Sequence, residues 1–264
     1  MHALQLGSMT ALHRALRAWS QMSSCSSLVN VHSFPPSARW GRLEYVYSLT
    51  PAGYSAAKES APDMMDSATQ KEVLPMYPLD YFHRFHTISF RIGLEIALKR
   101  SSFSLVKYDQ YFEKIPQGQG VSCIATQVPL TEQIFFRPDS IFILGNGRCQ
   151  GVFSLETVWT PKLSRVLHHV RQHMDGLSSG MVSAQYGLPG QDYRALFLIR
   201  DESMLSNVLT QLQRSTQFTP FRRHFMFASI TDSHRDVLRC WRIVGDAKHL
   251  YHFFMGHKTF RLSR

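Results

Sequence analysis

Residues 135–159 constrain this chain more than any other stretch. Phe135-Phe136-Arg137-Pro138-Asp139-Ser140-Ile141-Phe142-Ile143-Leu144 and Gly151-Val152-Phe153-Ser154-Leu155-Glu156-Thr157-Val158-Trp159 are strand-like runs, and Gly145-Asn146-Gly147 lies between them. Asn-Gly is a strong hairpin signal because both residues tolerate positive φ. The rest of the chain supplies further elements. Residues 81–99 carry Phe82, Phe85, Ile88, Ile92 and Ile96 at three- and four-residue spacing, which predicts an amphipathic helix. Leu105-Val106 and Tyr111-Phe112 predict a short strand with a polar connection. Residues 161–173 predict a helix with Leu163, Val166, Leu167 and Val170 on one side. Arg194–Ile199 reads as a buried strand, residues 204–212 as a helix and 222–228 as a further strand. Helix, strand, hairpin, helix, strand, helix, strand describes a mixed α/β domain around a central sheet.

At 264 residues and 44% hydrophobic content the chain has room for one large domain, or a medium and a small one, and most of it is not disordered. Lys+Arg 29 against Asp+Glu 19 leaves a net charge of +10, which points to a polyanionic partner, nucleic acid first. Much of the excess lies between Arg214 and Arg264, where ten cations, Arg222 and Arg223 among them, face only Asp232, Asp236 and Asp246. Interleaved Phe218, Phe221, Phe225, Trp241 and Tyr251 predict that this part folds, with aromatics in the core and arginines outside in sequence-independent contact with phosphate. The same interleaving also suits a stacking surface for unpaired strands. No run of 18 apolar residues occurs, and the N-terminal residues lack the apolar core of a signal peptide, so the expectation is a cytoplasmic protein with no membrane partner. Cys25, Cys123, Cys149 and Cys240 are far apart and read as idle thiols.

The front of the chain has its own organisation. Residues 3–20 fit one or two short amphipathic helices bearing Arg14 and Arg17. A Ser-rich stretch, apolar Leu28, Val29 and Val31, and a Pro35-Pro36 break follow, and then residues 40–49 alternate as the return strand of a hairpin does. Thr50 is placed to cap a helix with Pro51 in its first turn. Residues 61–78, rich in Pro, Asp, Ser and Met, read as a linker between a domain at 1–60 and another at 79–264. Helix, hairpin and capped helix form the end of a winged helix, and Tyr45-Val46-Tyr47-Ser48-Leu49-Thr50-Pro51-Ala52-Gly53 resembles the Y-x-L-T-x-x-G ending of many winged-helix DNA-binding domains. That resemblance puts Arg39 and Arg42 on a wing touching phosphate and the preceding helix in the major groove. The front is short for the usual three helices, so the expectation is a truncated or degenerate module.

Asp139 opens one strand of the hairpin, and Glu156 lies inside the next. Two carboxylates meeting at one sheet edge can share Mg²⁺ or Mn²⁺, which orients water and stabilises charge during phosphodiester hydrolysis. Restriction-endonuclease-like nucleases use this arrangement with a Lys two residues past the second acid. That position is Val158 here, which leaves Lys162, at the start of the next helix, as the supporting cation. Against this stands the plain reading of Asp139 as a turn residue beside Pro138 and of Glu156 as an acid on a solvated face. His169 and His173 are four apart but lack the carboxylate of a His-Glu-x-x-His pair, so they read as part of a basic, DNA-facing or solvated helix.

The order of these signals carries more than any one. A Leu-Thr-Pro-Ala-Gly ending, a helix with His83 or His86, Arg137-Pro138-Asp139, and Phe153-Ser154-Leu155-Glu156 ahead of Thr160 and Lys162 together resemble the replication-relaxation family, over about residues 28–212. The chain lacks that family's second acid, again at Val158. The resemblance implies an α/β (α+β) fold: an N-terminal winged helix followed by a restriction-endonuclease-like mixed-sheet domain. It also implies a DNA-binding protein of a plasmid or integrative element, acting in replication, relaxation or mobilization. Double-stranded origin DNA, other relaxosome or replication proteins and a second copy of the chain are the implied partners. Mobilization relaxases of the restriction-endonuclease-like class share the architecture, so a Mg²⁺- or Mn²⁺-dependent nickase using Asp139 and Glu156 is the enzymatic alternative. A winged-helix transcriptional regulator is the other.

Overall fold

The computed structural model describes residues 9–21, 27–37, 41–60, 72–116 and 122–252. The chain divides into two compact units, Met1–Lys71 and Glu72–Arg264.

In the first unit, helix α1 (Met9–Gln21) leads to strands β1 (Val29–His32) and β2 (Val46–Leu49) and then to helix α2 (Pro51–Ser60). The strands pair antiparallel with Val29 opposite Leu49 and His32 opposite Val46. The Leu28 N–H donates to the Trp19 carbonyl at 3.2 Å, tying the ribbon to α1. Thr50 caps α2 as its position predicts: its Oγ1 accepts from the Gly53 N–H at 3.0 Å and donates to the Ser27 carbonyl at 2.5 Å. Gly53 is required by packing, because a Cβ there would lie 1.9 Å from the Leu28 carbonyl oxygen. The Thr-x-x-Gly spacing is therefore a device that closes α2 onto the start of β1.

The second unit runs β3 (Glu72–Val73), α3 (Tyr81–Leu98), β4 (Ser104–Gln110), β5 (Glu113–Pro116), β6 (Ser122–Ile124), β7 (Val128–Pro129), β8 (Phe135–Phe136), β9 (Ser140–Gly145) and β10 (Gln150–Val158). It continues through α4 (Leu163–Ser179), α5 (Met181–Gln185), β11 (Arg194–Ile199), α6 (Glu202–Gln213), β12 (Phe225–Ser229), α7 (Ile230–Arg235), β13 (Trp241–Ile243) and β14 (Asp246–Tyr251). Seven strands form one mixed sheet in the order β14-β13-β12-β11-β10-β9-β4, with small hairpins beside it. β4, β9 and β10 are an antiparallel meander, and β11 and β12 then lie parallel to β10 through helical crossovers.

Both faces of the sheet are covered. On one face Val166 and Val170 of α4, Val182 of α5 and Leu205 and Val208 of α6 pack on Val152, Val158, Phe197 and Phe227. On the other, Phe90, Leu94 and Leu98 of α3 and Ile230 of α7 pack on Phe142, Phe153, Leu155, Leu198 and Trp241. Full burial of each such side chain contributes about 1.5–3 kcal/mol. The two-residue alternation of β10 turns Val152, Ser154, Glu156 and Val158 toward α4 and their neighbours toward α3.

The structure adjusts several expected boundaries. Tyr111-Phe112 is the turn after β4 rather than strand, α4 continues past His173 until Gly180 stops it at φ 67°, and residues 219–224 form a 3₁₀ turn ahead of β12. Residues 72–78, expected to be linker, belong to the second unit: β3 pairs with β5, and Arg84 donates to the Leu74 and Pro75 carbonyls at 2.9 Å each. A polar, Pro-containing sequence conceals this, because backbone carbonyls captured by a distant arginine leave no local pattern. Cys123, Cys149 and Cys240 are free thiols, and Cys25 lies outside the described residues. Among the described residues no helix is long and apolar enough to cross a membrane.

Candidate functional site

The four-residue loop after Gly145 fixes the hairpin register, with Gly145 opposite Gln150 and Ser140 opposite Leu155. Continued by one residue, that register sets Asp139 across from Glu156, as close as neighbouring strands allow. Each acid is then held from a different side of the sheet.

Asp139 is held from the α3 side. Its Oδ2 accepts from the Thr157 backbone N–H at 2.6 Å and from His83 Nε2 at 2.8 Å. His83 Nδ1 faces Asp80 Oδ1 at 3.4 Å, and Asp80 also accepts from Tyr111 Oη at 2.6 Å and Arg84 Nε at 2.7 Å. Burial opposes a charge on His83, but the charge and hydrogen bond of Asp139, reinforced by Asp80, raise its pKa to about 10. Burial likewise works against an Asp80 anion, yet the hydrogen bonds from His83, Tyr111 and Arg84 bring its pKa down to about 2. His83 is thus an imidazolium between two carboxylates. Of the two histidines singled out in this helix, His83 is the one on Asp139.

Glu156 is held from the α4 side. Its Oε1 lies 3.0 Å from His173 Nε2 and its Oε2 lies 3.4 Å from His169 Nδ1. Burial first, and the Asp139 charge second, push the Glu156 pKa well above the carboxylate range. Burial also lowers His173 well below the usual imidazole value, with the charge of His169 adding to it. Both shifts favour the uncharged form of each group. The Tyr193 hydroxyl donates to the His173 carbonyl at 3.0 Å, and His173 Nδ1 lies 3.1 Å from that hydroxyl oxygen and 3.3 Å from Ser154 Oγ. In the tautomer with the proton on Nδ1, Nε2 accepts from a protonated Glu156 carboxyl. Gly176 makes room for this arrangement, because a Cβ there would sit 2.8 Å from the Tyr193 hydroxyl oxygen.

Arg165, His168 and Arg171 keep the outer face of α4 exposed, and the reading of a basic, solvated helix fails at the buried His173, with His169 partly exposed beside it. The four-residue spacing of these two histidines is a clamp on one buried carboxyl: His173 is completely buried, and Phe136, Phe197 and Phe225 surround it. It also excludes the solvated-face reading of Glu156, which is 2% exposed.

The other expected site residues are not gathered here. Lys162 is exposed at the N-terminus of α4, where its backbone N–H donates to Thr160 Oγ1 at 3.2 Å, and its ammonium makes no hydrogen bond or ion pair with either acid. Val158 points into the apolar layer under α4. Arg223 bonds His224 Nε2 at 2.9 Å and Asp192 at 3.4 Å, while Arg222 lies half-buried against Gly245. Both arginines precede the first residue of β12, whereas Glu156 and Thr157 lie near the last residue of the parallel β10, so they sit at the opposite strand end from the acids. In the first unit Arg14 and Arg17 are exposed on α1, Arg42 is exposed with its guanidinium donating to Tyr45 Oη at 3.0 Å, and Arg39 lies outside the described residues.

The residues around the two acids do not make a Mg²⁺ or Mn²⁺ site as they stand. Among the described residues no group of three or more His, Cys, Asp and Glu has metal-holding geometry. His83 and Thr157 occupy Asp139 Oδ2, and burial beside His173 favours the protonated form of Glu156. A divalent cation requires deprotonated ligands. No known protein family, curated protein or solved structure matches the chain.

Proposed function

We propose that this chain is a DNA-binding protein of a plasmid or integrative element, acting in replication, relaxation or mobilization, whose second unit is a nuclease-like scaffold that holds DNA without cutting it. The observation that carries this reading is the meeting of Asp139 and Glu156 across β9 and β10, with His83 and the Thr157 N–H on the first acid and His173 on the second. The helix–meander–helix–strand order around this pair supports a restriction-endonuclease-like ancestry. Val158 at the position of the expected second acid, and Lys162 away from both carboxylates, support the loss of cleavage.

The first unit supports the DNA-binding half of the proposal. Arg14 and Arg17 are exposed one helical turn apart on α1, which precedes a two-stranded ribbon, and Arg42 is exposed in the segment between the two strands. A winged-helix module engages duplex DNA with these parts. The test is fluorescence anisotropy of the full chain on a duplex across a salt series. Affinity that falls steeply as salt rises supports the proposal, because each neutralised phosphate releases counterions. Salt-insensitive binding, or none, contradicts it.

A further inference from the structure

The two elements that hold Asp139 also carry a set of aromatic rings that the acid pair does not use. Phe82 immediately precedes His83 on α3, and Trp159 lies two residues beyond Thr157 on β10; their rings stack at 5.6 Å and 16°. His86 stacks on the same indole at 4.7 Å. Phe85 lies parallel to the buried Tyr81 ring at 7°, with centroids 6.4 Å apart, and is 43% exposed. Tyr77 and Leu79, just ahead of α3, are also exposed. Four rings that meet water or its edge lie beside a charged His83–Asp139 pair, where an apolar core has no reason to end in flat faces.

Two further observations give this surface its chemistry. His86, 8% exposed and at right angles to the Phe85 ring at 5.2 Å, has two buried ring nitrogens without a hydrogen bond, an unsatisfied polar group beside the exposed ring. From α7, His234 lies 5.8 Å from His86, and the next residue, Arg235, is 78% exposed, with Arg239 exposed just beyond. Arg235 pairs loosely with Asp232 at 3.7 Å and stays open to solvent. Flat rings interleaved with exposed guanidinium groups bind unpaired strands, bases on the rings and phosphates on the cations.

We infer that the α3–α7 face takes an unpaired DNA strand, with a base stacked on Phe85 and the phosphates beside Arg235 and Arg239. The inference rests on the DNA-binding reading and specifies the form of DNA that the second unit holds. It puts the stacking ring on α3, outside the basic C-terminal part that supplies Arg235 and Arg239 and to which the sequence assigns such a surface.

The test is anisotropy of the full chain with oligo(dT) of about 12 nucleotides, within the ~4–16 nucleotides such a site covers, and with a duplex of the same length. Phe85→Leu keeps an apolar side chain but removes the flat ring, and Phe85→Trp restores one. Loss of oligo(dT) affinity by about five-fold or more in Phe85→Leu, with recovery in Phe85→Trp and duplex binding unchanged, is the expected result. Arg235→Ala weakens oligo(dT) binding and lowers its salt dependence. Equal oligo(dT) affinity for the parent and Phe85→Leu overturns the inference, as does duplex binding with no binding of oligo(dT). If neither DNA binds, the DNA-binding reading itself fails.

Discussion

His173 Nε2 and Glu156 Oε1 lie 3.0 Å apart with neither residue more than 2% exposed, and burial raises the Glu156 pKa and lowers that of His173, favouring two neutral groups over an ion pair. Isolation from water decides the protonation state. Burying an imidazolium and a carboxylate together costs more than their attraction returns unless further groups satisfy both, and here Tyr193 and Ser154 offer neutral oxygens only.

Substitution separates the two states of this pair. If Glu156 carries its proton, Glu156→Gln keeps shape, charge and the donor to Nε2, and the stability loss by urea unfolding stays below about 1 kcal/mol. Breaking a charged pair instead leaves a buried imidazolium unpaired, at about 3–5 kcal/mol. His173→Ala removes a fully buried ring and strips Glu156 of its partner, so a loss of about 3 kcal/mol or more is expected.

The His83–Asp139 pair gives stability a defined pH dependence. The His83 pKa is about 10 when folded against 6.5 as the ordinary value, so its contribution is full below pH 6.5 and is lost as pH rises through 10. Glu156, also raised, acts in the same direction as pH rises above its ordinary value of 4.5. Asp80, lowered from 3.8 to about 2, contributes above pH 3.8 and is lost as pH falls toward 2. Urea midpoints measured from pH 6.5 to 10 should fall in the parent and flatten in His83→Gln.

Gly53→Ala should disrupt the first unit. The added methyl would overlap the Leu28 carbonyl oxygen, which is backbone and cannot turn aside, so α2 must move off β1. Limited proteolysis should cleave the first unit of this variant faster than that of the parent while the second unit persists. Thr50→Ala, which loses only the cap, should cost about 1 kcal/mol.

On duplex DNA, Arg14→Ala with Arg17→Ala should reduce the slope of log affinity against log salt by about 2, close to 0.9 for each phosphate that is no longer neutralised. Arg223→Ala should leave the slope nearly unchanged, because Asp192 and His224 already engage that side chain. An equal effect from Arg223 would move the duplex surface to the second unit.

The fold was legible where packing writes a local pattern. The hairpin from residue 135 to 159, the period of α3 and the apolar run of β11 each announce their element, and Thr50 and Gly53 announce how a helix begins and what it lies against. The acids were legible for the same reason, since a short loop sets the register that brings Asp139 to Glu156. What surrounds them was not. His83 lies 56 residues from Asp139, and Tyr193 lies 20 from His173, separations that only the assembled layers close. The spacing of His169 and His173 was visible, but a helix with Lys162, Arg165 and Arg171 gave no sign that the histidine face was the buried one.

Supercoiled plasmid incubated with the full chain, with and without Mn²⁺, and resolved on an agarose gel tests the central claim most directly. A nuclease-like scaffold that holds DNA retards the plasmid at low salt and leaves it supercoiled with or without the cation. Mn²⁺-dependent conversion to open circles, abolished in Asp139→Ala, would contradict the claim and make Asp139 and Glu156 the working ligands of a nickase.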